Sequence, residues 1–255
     1  MIDSRRSLLI RRHECTMRTY FIAAHVHTCA VQDQVFFLDL KRNRYLSKAL
    51  CELSGISRFV QGWPLNADTS DIHVPGNGTQ IESAVAELMA NRLLCLEWPG
   101  PVAPTPAKCP PAQKSLLGHA TTGYPQISGG QFLSFLKAAF TAKWCLSVRS
   151  LYSTIRRIER RQARAATSRA QDSPSLQHLV EVFRRLRPLL PPSRAPCLMT
   201  SIALLEFLAA YRHFPRLVFS VQAHPFRAHC WLQHGDTVLN STLEQVLGFT
   251  PIMVA

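Results

Sequence analysis

The sequence predicts an α+β protein built from two units that are joined by a proline-rich segment. Residues 26–46 contain short runs of β-branched and aromatic residues separated by turn residues, and these predict a small three-stranded sheet. Residues 99–113 hold six prolines, a density that excludes a helix or a central strand. Residues 196–240 pass from an apolar run with helical periodicity into strand-like runs, which predicts a helix followed by three strands.

The composition is that of an ordinary globular chain, with 47% hydrophobic and 18% charged residues in 255. No uninterrupted apolar run approaches the length of a membrane span, and there is no Walker loop or dinucleotide-binding glycine motif. The eight cysteines form no C-x-x-C pair and no zinc-ligand spacing. We therefore expect a cytoplasmic protein with reduced thiols, no metal, and no cofactor of its own.

The net charge of +13 is high, and many of the arginines that produce it lie between residues 156 and 169. A basic helix can be an electrostatic footprint for nucleic acid. However, no aromatic residues interleave this run and no recognised nucleic-acid motif accompanies it. We therefore expect no nucleic-acid partner. The run is interpreted as a solvated helix face, or as a surface for an acidic partner or for peripheral association with a membrane or an exporter.

The first unit is predicted over residues 17–98, after a basic extension at 1–16 that we expect to be disordered. Its strands alternate with turn-forming runs, and its helical stretches follow the sheet in the sequence. The predicted elements are strands at 26–31, 35–40 and 45–46 and helices at about 48–61 and 80–94.

The second unit is predicted over residues 131–255, with residues 99–130 as the linker and 114–130 irregular. From Gln131 a helical period begins, and its apolar stripe is predicted to face the core. A further helix is predicted after Ser173-Pro174, which should cap it. The stripe consists of Phe132, Phe135, Leu136, Ala139 and Phe140, and continues to Lys143.

Cys197 and His229 are the candidate catalytic residues. Cys197 lies in the first turn of a predicted helix, where unpaired backbone N–H groups and the positive end of the dipole favour a thiolate. His229 lies on the second predicted strand of this unit. Taken singly, a cysteine at a helix start is usually a small core residue, and a strand histidine is usually a satisfied polar group. Together, in this order of elements, they form the constellation of papain-type and transglutaminase-type enzymes.

A third residue should orient the histidine, and the hairpin that follows His229 offers two. If Gly235-Asp236 forms a two-residue turn, Asn240 is a diagonal neighbour of His229 on the same face and Ser241 points away. A three-residue turn would instead place Ser241 opposite the histidine. Because asparagine has this role in papain-like enzymes, we expect Asn240 to be the orienting residue, with Ser241 as the alternative. Cys230 alternates to the opposite face and is predicted to be a core residue.

Three motifs in the second unit carry a resemblance to a known family. They are A-P-C-L-x-x-S-I-A-L-L from Ala195, P-F-R-A-H-C-W-L-Q-x-G-D-x-V-L-N ending at Asn240, and F-T-P-I at 249–252. These motifs resemble the lasso-peptide maturation cysteine proteases, the microcin-processing family with a transglutaminase-like core. The resemblance implies that Cys197 is the nucleophile and His229 the base. The family carries aspartate directly after V-L-N, where this chain has Ser241.

The first unit is similar to the PqqD-like, winged-helix-like domain that recognises the leader of a precursor peptide, although any small winged-helix module is the generic alternative. The resemblance implies that the leader adds as a strand along Arg44, Tyr45 and Leu46, with Arg92 on the helix that forms the other wall. The second unit would then remove the leader. A partner lasso cyclase, similar to asparagine synthetases, would close the ring, and any ATP dependence would belong to that partner.

Two other classes of function remain open. The missing aspartate would fit a peptide-binding scaffold whose catalytic apparatus has decayed. Alternatively, transglutaminase-like cores form the same acyl-enzyme and pass it to an amine, which would make the chain an amide-forming acyltransferase. The reactivity of Cys197 distinguishes the first alternative and the mass of the product distinguishes the second.

Overall fold

A computed structural model describes residues 19–53, 55–63, 78–98, 109–117, 125–165 and 174–255. The extension predicted at 1–16, most of the proline-rich segment and Ser173 lie outside this range. The strands are β1 (Tyr20–Ile22), β2 (Val26–Val31), β3 (Gln34–Asp39), β4 (Arg44–Ala49), β5 (Val60–Gln61), β6 (Leu94–Cys95), β7 (Lys114–Ser115), β8 (Arg216–Gln222), β9 (Arg227–His234), β10 (Thr237–Val238) and β11 (Thr250–Val254). The helices are α1 (Gly78–Ala90), α2 (Gly129–Val148), α3 (Leu151–Ala165), α4 (Leu176–Leu186), α5 (Pro196–Ala210) and α6 (Leu243–Leu247).

The N-terminal half contains the predicted three-stranded sheet, an antiparallel meander in the order β2-β3-β4. The turn between β3 and β4 is held by buried Asp39, whose Oδ1 accepts hydrogen bonds from the backbone N–H groups of Lys41 at 3.0 Å and Arg42 at 3.1 Å. A second small sheet, β5-β1-β6, and α1 cover one face of the meander. β4 is an edge strand of its sheet, as strand addition by a peptide requires.

The helix predicted at about 48–61 is wrong. β4 continues to Ala49, and two short 3₁₀ segments and β5 follow it. Gly55, between the 3₁₀ segments, has a φ of 77°, a left-handed conformation that a continuous helix cannot include. The chain therefore turns there, and Val60 pairs with Tyr20. The helix predicted at 80–94 is confirmed as α1, although it ends at Ala90 and Leu94 begins β6.

The C-terminal half is built on a five-stranded sheet in the order β11-β8-β9-β10-β7. The segment 114–130 is not wholly irregular as predicted, because Lys114 pairs in parallel with Thr237 and so adds β7 to the sheet edge. α5 packs on β9, and α2 and α4 pack on α5. The cap of α4 is Ser175, whose Oγ accepts a hydrogen bond from the His178 N–H at 3.3 Å, and not the predicted Ser173-Pro174.

The β2-β3-β4 sheet is shared by the two halves. Val35 and Phe37 face the N-terminal core, whereas the alternate residues Phe36 and Leu38 face the C-terminal core. The ring of Phe36 stacks on Phe226 with centroids 5.6 Å apart. The two predicted units therefore share this sheet, which has a separate core on each face, and the position of β4 relative to α5 is set by packing.

The apolar stripe predicted on α2 is divided between core and surface. Phe135 and Ala139 are buried, but Phe132, Leu136 and Phe140 are exposed. The buried face is instead built around Phe135 with small residues, which allow α2 to approach α5 closely. That face consists of Gln131, Phe135, Ala138, Ala139, Ala142 and Cys145. In the described part of the chain no helix is long and apolar enough to cross a membrane.

Part of the basic run on α3 has an internal partner. Arg157 and Arg161 both bind the carboxylate of Glu206 on α5, and the distance from Arg161 Nη1 to Glu206 Oε2 is 2.8 Å. The Glu206 side chain is only 9% exposed. Two of the arginines interpreted as a solvated face therefore fasten α3 to the helix that carries Cys197.

We expect Glu206→Ala to lower the free energy of unfolding by about 2 kcal/mol. It leaves two guanidinium groups without their carboxylate, although both stay partly hydrated and the full cost of breaking a buried pair is not reached. Glu159→Ala is the matched control, because Glu159 pairs with Arg156 at the surface and its loss should cost under about 1 kcal/mol. Urea denaturation of both variants measures the difference, and equal losses would contradict the structural role of Glu206.

Candidate active site

Cys197 is the second residue of α5, directly after Pro196. The first intrahelical bond runs from the Met199 N–H to the carbonyl of Ala195, the N-cap residue, at 2.9 Å. The N–H of Cys197 therefore precedes the hydrogen-bonded part of the helix and points out of its N-terminus. The predicted helix and the place of the cysteine in its first turn are confirmed.

His229 lies on β9, opposite Ser220 of β8. The hairpin after it has the predicted two-residue turn, because Thr237 pairs with His234, and Gly235 adopts a φ of 60° there. The following strand is shorter than predicted, since β10 ends at Val238. Only the Leu239 N–H, which donates to the Leu232 carbonyl at 2.9 Å, extends the pairing beyond it.

The prediction that Asn240 orients His229 is corrected by the structure. Asn240 Oδ1 accepts a hydrogen bond from the Leu232 N–H at 2.7 Å, and its Nδ2 donates to Ser201 Oγ on α5 at 2.9 Å. Both ends of the amide are thus used to fasten the hairpin to itself and to α5. Ser241 Oγ is the atom that meets His229 Nε2, at 2.7 Å.

The predicted register is correct, yet Ser241 and not Asn240 meets His229, because the strand ends at this point. The side chain of Asn240 takes the place of the next backbone acceptor for Leu232, so the chain leaves the ladder at this point. Thr242 then begins α6 as its N-cap. Ser241, between these two anchors, no longer follows the alternation of a strand and turns toward His229, with its side chain 2% exposed.

The surroundings of Cys197 stabilise the thiolate. Hydrogen bonds from the Cys230 side chain and from His229, with a smaller contribution from the Cys230 N–H, lower the pKa of Cys197 to about 4 against the opposing effect of burial. Cys230 remains a thiol, because its neighbour Cys197 and burial raise its pKa. Cys230 is buried as predicted. It also lies against α5, where its thiol donates a hydrogen bond to Cys197.

The imidazole of His229 is held between aromatic rings. The centroid of Trp231, two residues along β9, lies 5.8 Å from it, and that of Phe249 lies 5.6 Å from it. Phe249 begins the F-T-P-I segment that leads into β11, and Arg227 lies over its ring. These contacts, with the bond to Ser241, restrict the ring to one orientation beside Cys197.

The four residues predicted to bind a leader occupy different surroundings. Arg44 Nη2 donates to Asn91 Oδ1 at 3.2 Å, and Leu46 packs against the N-terminal core. Arg92 is exposed just after α1, with a φ of 57°. Tyr45 packs instead against the C-terminal core and Phe226.

Tyr45 also lies near the nucleophile, which sequence reasoning did not foresee. Burial raises the pKa of its hydroxyl, and the charge of the neighbouring cysteine side chains, Cys230, Cys197 and Cys29, raises it further. The phenol therefore stays neutral at the junction of the two halves. The alternation of side chains along β4 could have predicted this position, because Tyr45 and Leu46 must face opposite sides of a sheet that is covered on both.

An open cavity of about 610 Å³ lies beside the N-terminus of α5. It is bounded by Asn43 from the β3–β4 turn, Lys143 from α2, and Arg194 and Ala195 just before the nucleophile helix. Among the described residues, no group of three or more His, Cys, Asp or Glu side chains could hold a metal ion. The side chains described at the site are the Cys197 thiolate, the His229 imidazole and the hydroxyl and amide groups around them.

Comparison with known proteins identifies the C-terminal half. The sequence model of the transglutaminase-like superfamily matches residues 139–254, a range that includes Cys197, His229 and Ser241. No curated protein and no solved structure matches the chain. Residues 139–254 form a transglutaminase-like domain, a fold of the cysteine protease and acyltransferase type.

Proposed function

We propose that this chain is a leader peptidase of lasso-peptide biosynthesis that cleaves its substrate through an acyl-enzyme on Cys197. The observation that carries the proposal is the hydrogen bond of Cys197 with an imidazole that is itself oriented by Ser241. A buried core cysteine would have a raised pKa, as Cys230 has. A lowered pKa is what a nucleophile requires, and it disfavours a decayed scaffold.

Hydrolysis proceeds by two acyl transfers. The Cys197 thiolate attacks the carbonyl carbon of the scissile amide, and a C–S bond forms while the oxygen becomes an oxyanion within reach of the Cys197 N–H. His229, as the imidazolium, donates a proton to the leaving nitrogen, and the C–N bond breaks. A water molecule then gives one proton to His229 and attacks the thioester, and the C–S bond breaks. This releases the leader as a carboxylic acid, which loses its remaining proton to solvent, and restores the thiolate and imidazolium.

Leader recognition is proposed for β4 and the C-terminal end of α1. β4 is an edge strand, so its outer backbone groups can pair with an added strand, as in other peptide-binding sheets. Arg44 and Arg92 lie at one end of this edge, where they can contact a polar or acidic leader. Tyr45 links the edge to the catalytic cysteine, so a peptide paired along β4 would end near the nucleophile. The cavity at Arg194 gives room for the segment that follows.

The remaining components of the proposal concern partners. The chain would act on a precursor peptide and hand the freed amine to an asparagine-synthetase-like cyclase, which would also be the source of any ATP dependence. A role without nucleic acid agrees with the use of Arg157 and Arg161 inside the fold. The basic surface that remains is available for an acidic partner or for peripheral contact with a membrane or an exporter.

An amide-forming acyltransferase is the second candidate. The transglutaminase-like superfamily includes both cysteine proteases and acyltransferases, and both use the same thioester. The fate of the thioester separates them, because water gives a leader with a free carboxylate and an amine gives an amide. Mass spectrometry of the released leader therefore decides between the two.

We expect Cys197→Ala and His229→Ala to abolish leader removal. The first variant lacks the nucleophile and the second lacks the group that moves the proton. The measurement is incubation of the full chain with its precursor peptide, followed by mass spectrometry, with leader binding measured in parallel by fluorescence anisotropy. Binding should persist in both variants. Cleavage near the wild-type rate in either one would contradict the assignment.

We expect alkylation of Cys197 by iodoacetamide to stay fast from pH 8 down to pH 5. The thiolate is the reactive form, and it is lost only as the pH falls through the pKa of about 4. An ordinary cysteine, with a pKa of about 8.5, would slow about tenfold for each pH unit over that range. Peptide mapping assigns the labelled residue, with Cys197→Ala as the control. A labelling pKa near 8.5 would contradict the hydrogen bonding described for this thiol.

We expect Ser241→Ala to lower the cleavage rate and Asn240→Ala to lower the stability of the fold. Loss of the Ser241 hydroxyl frees the imidazole, so we expect the cleavage rate constant to fall by about tenfold or more while stability changes little. Asn240→Ala leaves the Leu232 N–H without its acceptor, and we expect it to cost about 1 to 3 kcal/mol of unfolding free energy. Single-turnover cleavage and urea denaturation of each variant test this. A larger kinetic loss in folded Asn240→Ala would restore Asn240 as the orienting residue.

A further inference from the structure

A serine in the third catalytic position creates an ambiguity that an aspartate would not. Ser241 Oγ lies 2.7 Å from His229 Nε2, but a hydroxyl can either donate or accept. If Ser241 donates, Nε2 carries the lone pair and the ring proton lies on Nδ1, where it faces the nucleophile. If Ser241 accepts, Nε2 carries the proton and Nδ1 is free to take one from Cys197. The direction of one O–H bond thus decides whether a base is present.

Gln245 supplies the group that decides it. Gln245 Oε1 lies 3.2 Å from Ser241 Oγ and also 3.2 Å from the Thr242 backbone nitrogen. A backbone N–H can only donate, so the part of the amide that faces Thr242 must be the oxygen. The Ser241 hydroxyl therefore faces an acceptor and donates to it. A lone pair of Ser241 Oγ is then left for His229, and Nε2 must carry the proton.

The position of Gln245 is itself fixed by α6. Thr242 is the N-cap of this helix and Gln245 its third residue, and the two form a capping box in which Thr242 Oγ1 accepts from the Gln245 N–H at 3.3 Å. The hydrogen bond from the Thr242 backbone N–H, which does not need the Thr242 side chain, holds the Gln245 side chain back over the helix start beside Ser241. Because Ser241 is 2% exposed, little water competes for its proton.

We propose that Gln245 is a positioning residue that fixes the direction of the Ser241 hydroxyl and, through it, the productive tautomer of His229. The inference uses the Cys197–His229 chemistry of the proposed function and adds the residue that makes serine adequate for it. In this arrangement a glutamine and a serine together do what a single carboxylate does in related sites. The carboxylate accepts from the ring without a choice of direction.

The test compares three variants of the full chain. Gln245→Leu removes the acceptor, Gln245→Glu keeps one, and Thr242→Ala removes the other half of the capping box without touching Ser241. Nitrogen-15 NMR of histidine-labelled protein reports the tautomer of His229. The spectra are recorded at mildly alkaline pH in the Cys197→Ala background, because the proton of Cys197 otherwise makes His229 an imidazolium, which has no tautomers. A further His229→Ala change assigns the signals. We expect the Nε2–H form in Cys197→Ala alone and with Gln245→Glu or Thr242→Ala, and a mixture of tautomers with Gln245→Leu.

Cleavage of the precursor peptide is the second readout. Gln245→Leu should lower kcat about tenfold with KM unchanged, in proportion to the fraction of productive tautomer, and the other two variants should stay near the wild type. An unchanged tautomer in Gln245→Leu, or equal losses in Gln245→Leu and Thr242→Ala, would overturn the proposal. If wild-type protein cleaves no precursor, the proposed function fails, but the nitrogen spectra still decide the role of Gln245.

Discussion

The burial of α5 is the constraint on which the rest of the structure depends. Ten of its fifteen residues are buried, so this helix can exist in water only when other elements surround it. α2 and α4 cover it on one side and β9 covers it on the other. The N-terminus of such a helix is necessarily held against the sheet, and Cys197 occupies that end. Core packing thereby brings a thiol to the start of β9, where His229 lies.

The reactivity of Cys197 depends on the few polar side chains that lie between α5 and the β9–β10 hairpin. Cys197 receives hydrogen bonds from Cys230 and His229, and these outweigh the burial that would otherwise favour the thiol. Asn240, which links the hairpin to Ser201, secures the geometry without contacting the reacting groups. Ser241 is the residue that contacts the imidazole, and in our proposal Gln245 sets the direction of the Ser241 hydroxyl. Positioning and chemistry are thus divided among residues that adjoin in sequence.

The shared sheet couples recognition to catalysis in the proposed function. Because Phe36 and Leu38 are buried against the C-terminal half, the edge of β4 is held at a fixed distance from α5 and does not belong to a freely tethered module. The exposed apolar residues of α2 are the opposite case. Leu133 is 67% exposed and Phe140 70% exposed, on a helix whose buried face is built mainly of small residues.

Local periodicity was sufficient to predict much of the chain. The strands at 26–46, the helices α1, α2 and α5 and the hairpin turn at Gly235-Asp236 all follow from patterns within a few residues of each position. The order of these elements predicted Cys197 and His229 as the catalytic pair. These features depend on propensity, turn chemistry and helix ends, which act over short stretches of sequence. Transglutaminase-like character follows from the same residues, and the superfamily match over residues 139–254 confirms it.

The tertiary structure alone decided the features that depend on competition between distant partners. Asn240 could have faced His229 by register, but Ser201, 39 residues away, and the Leu232 N–H take its side chain and end the strand. Gly55 converts a helix-like run into turns because β5 pairs with β1. Phe140 satisfies the helical period of α2 but is exposed. The face that contains Ala138 and Ala142 is buried instead, because small side chains let α2 approach α5 more closely. In each case several local solutions were equally good, and packing against residues far away in the chain selected one.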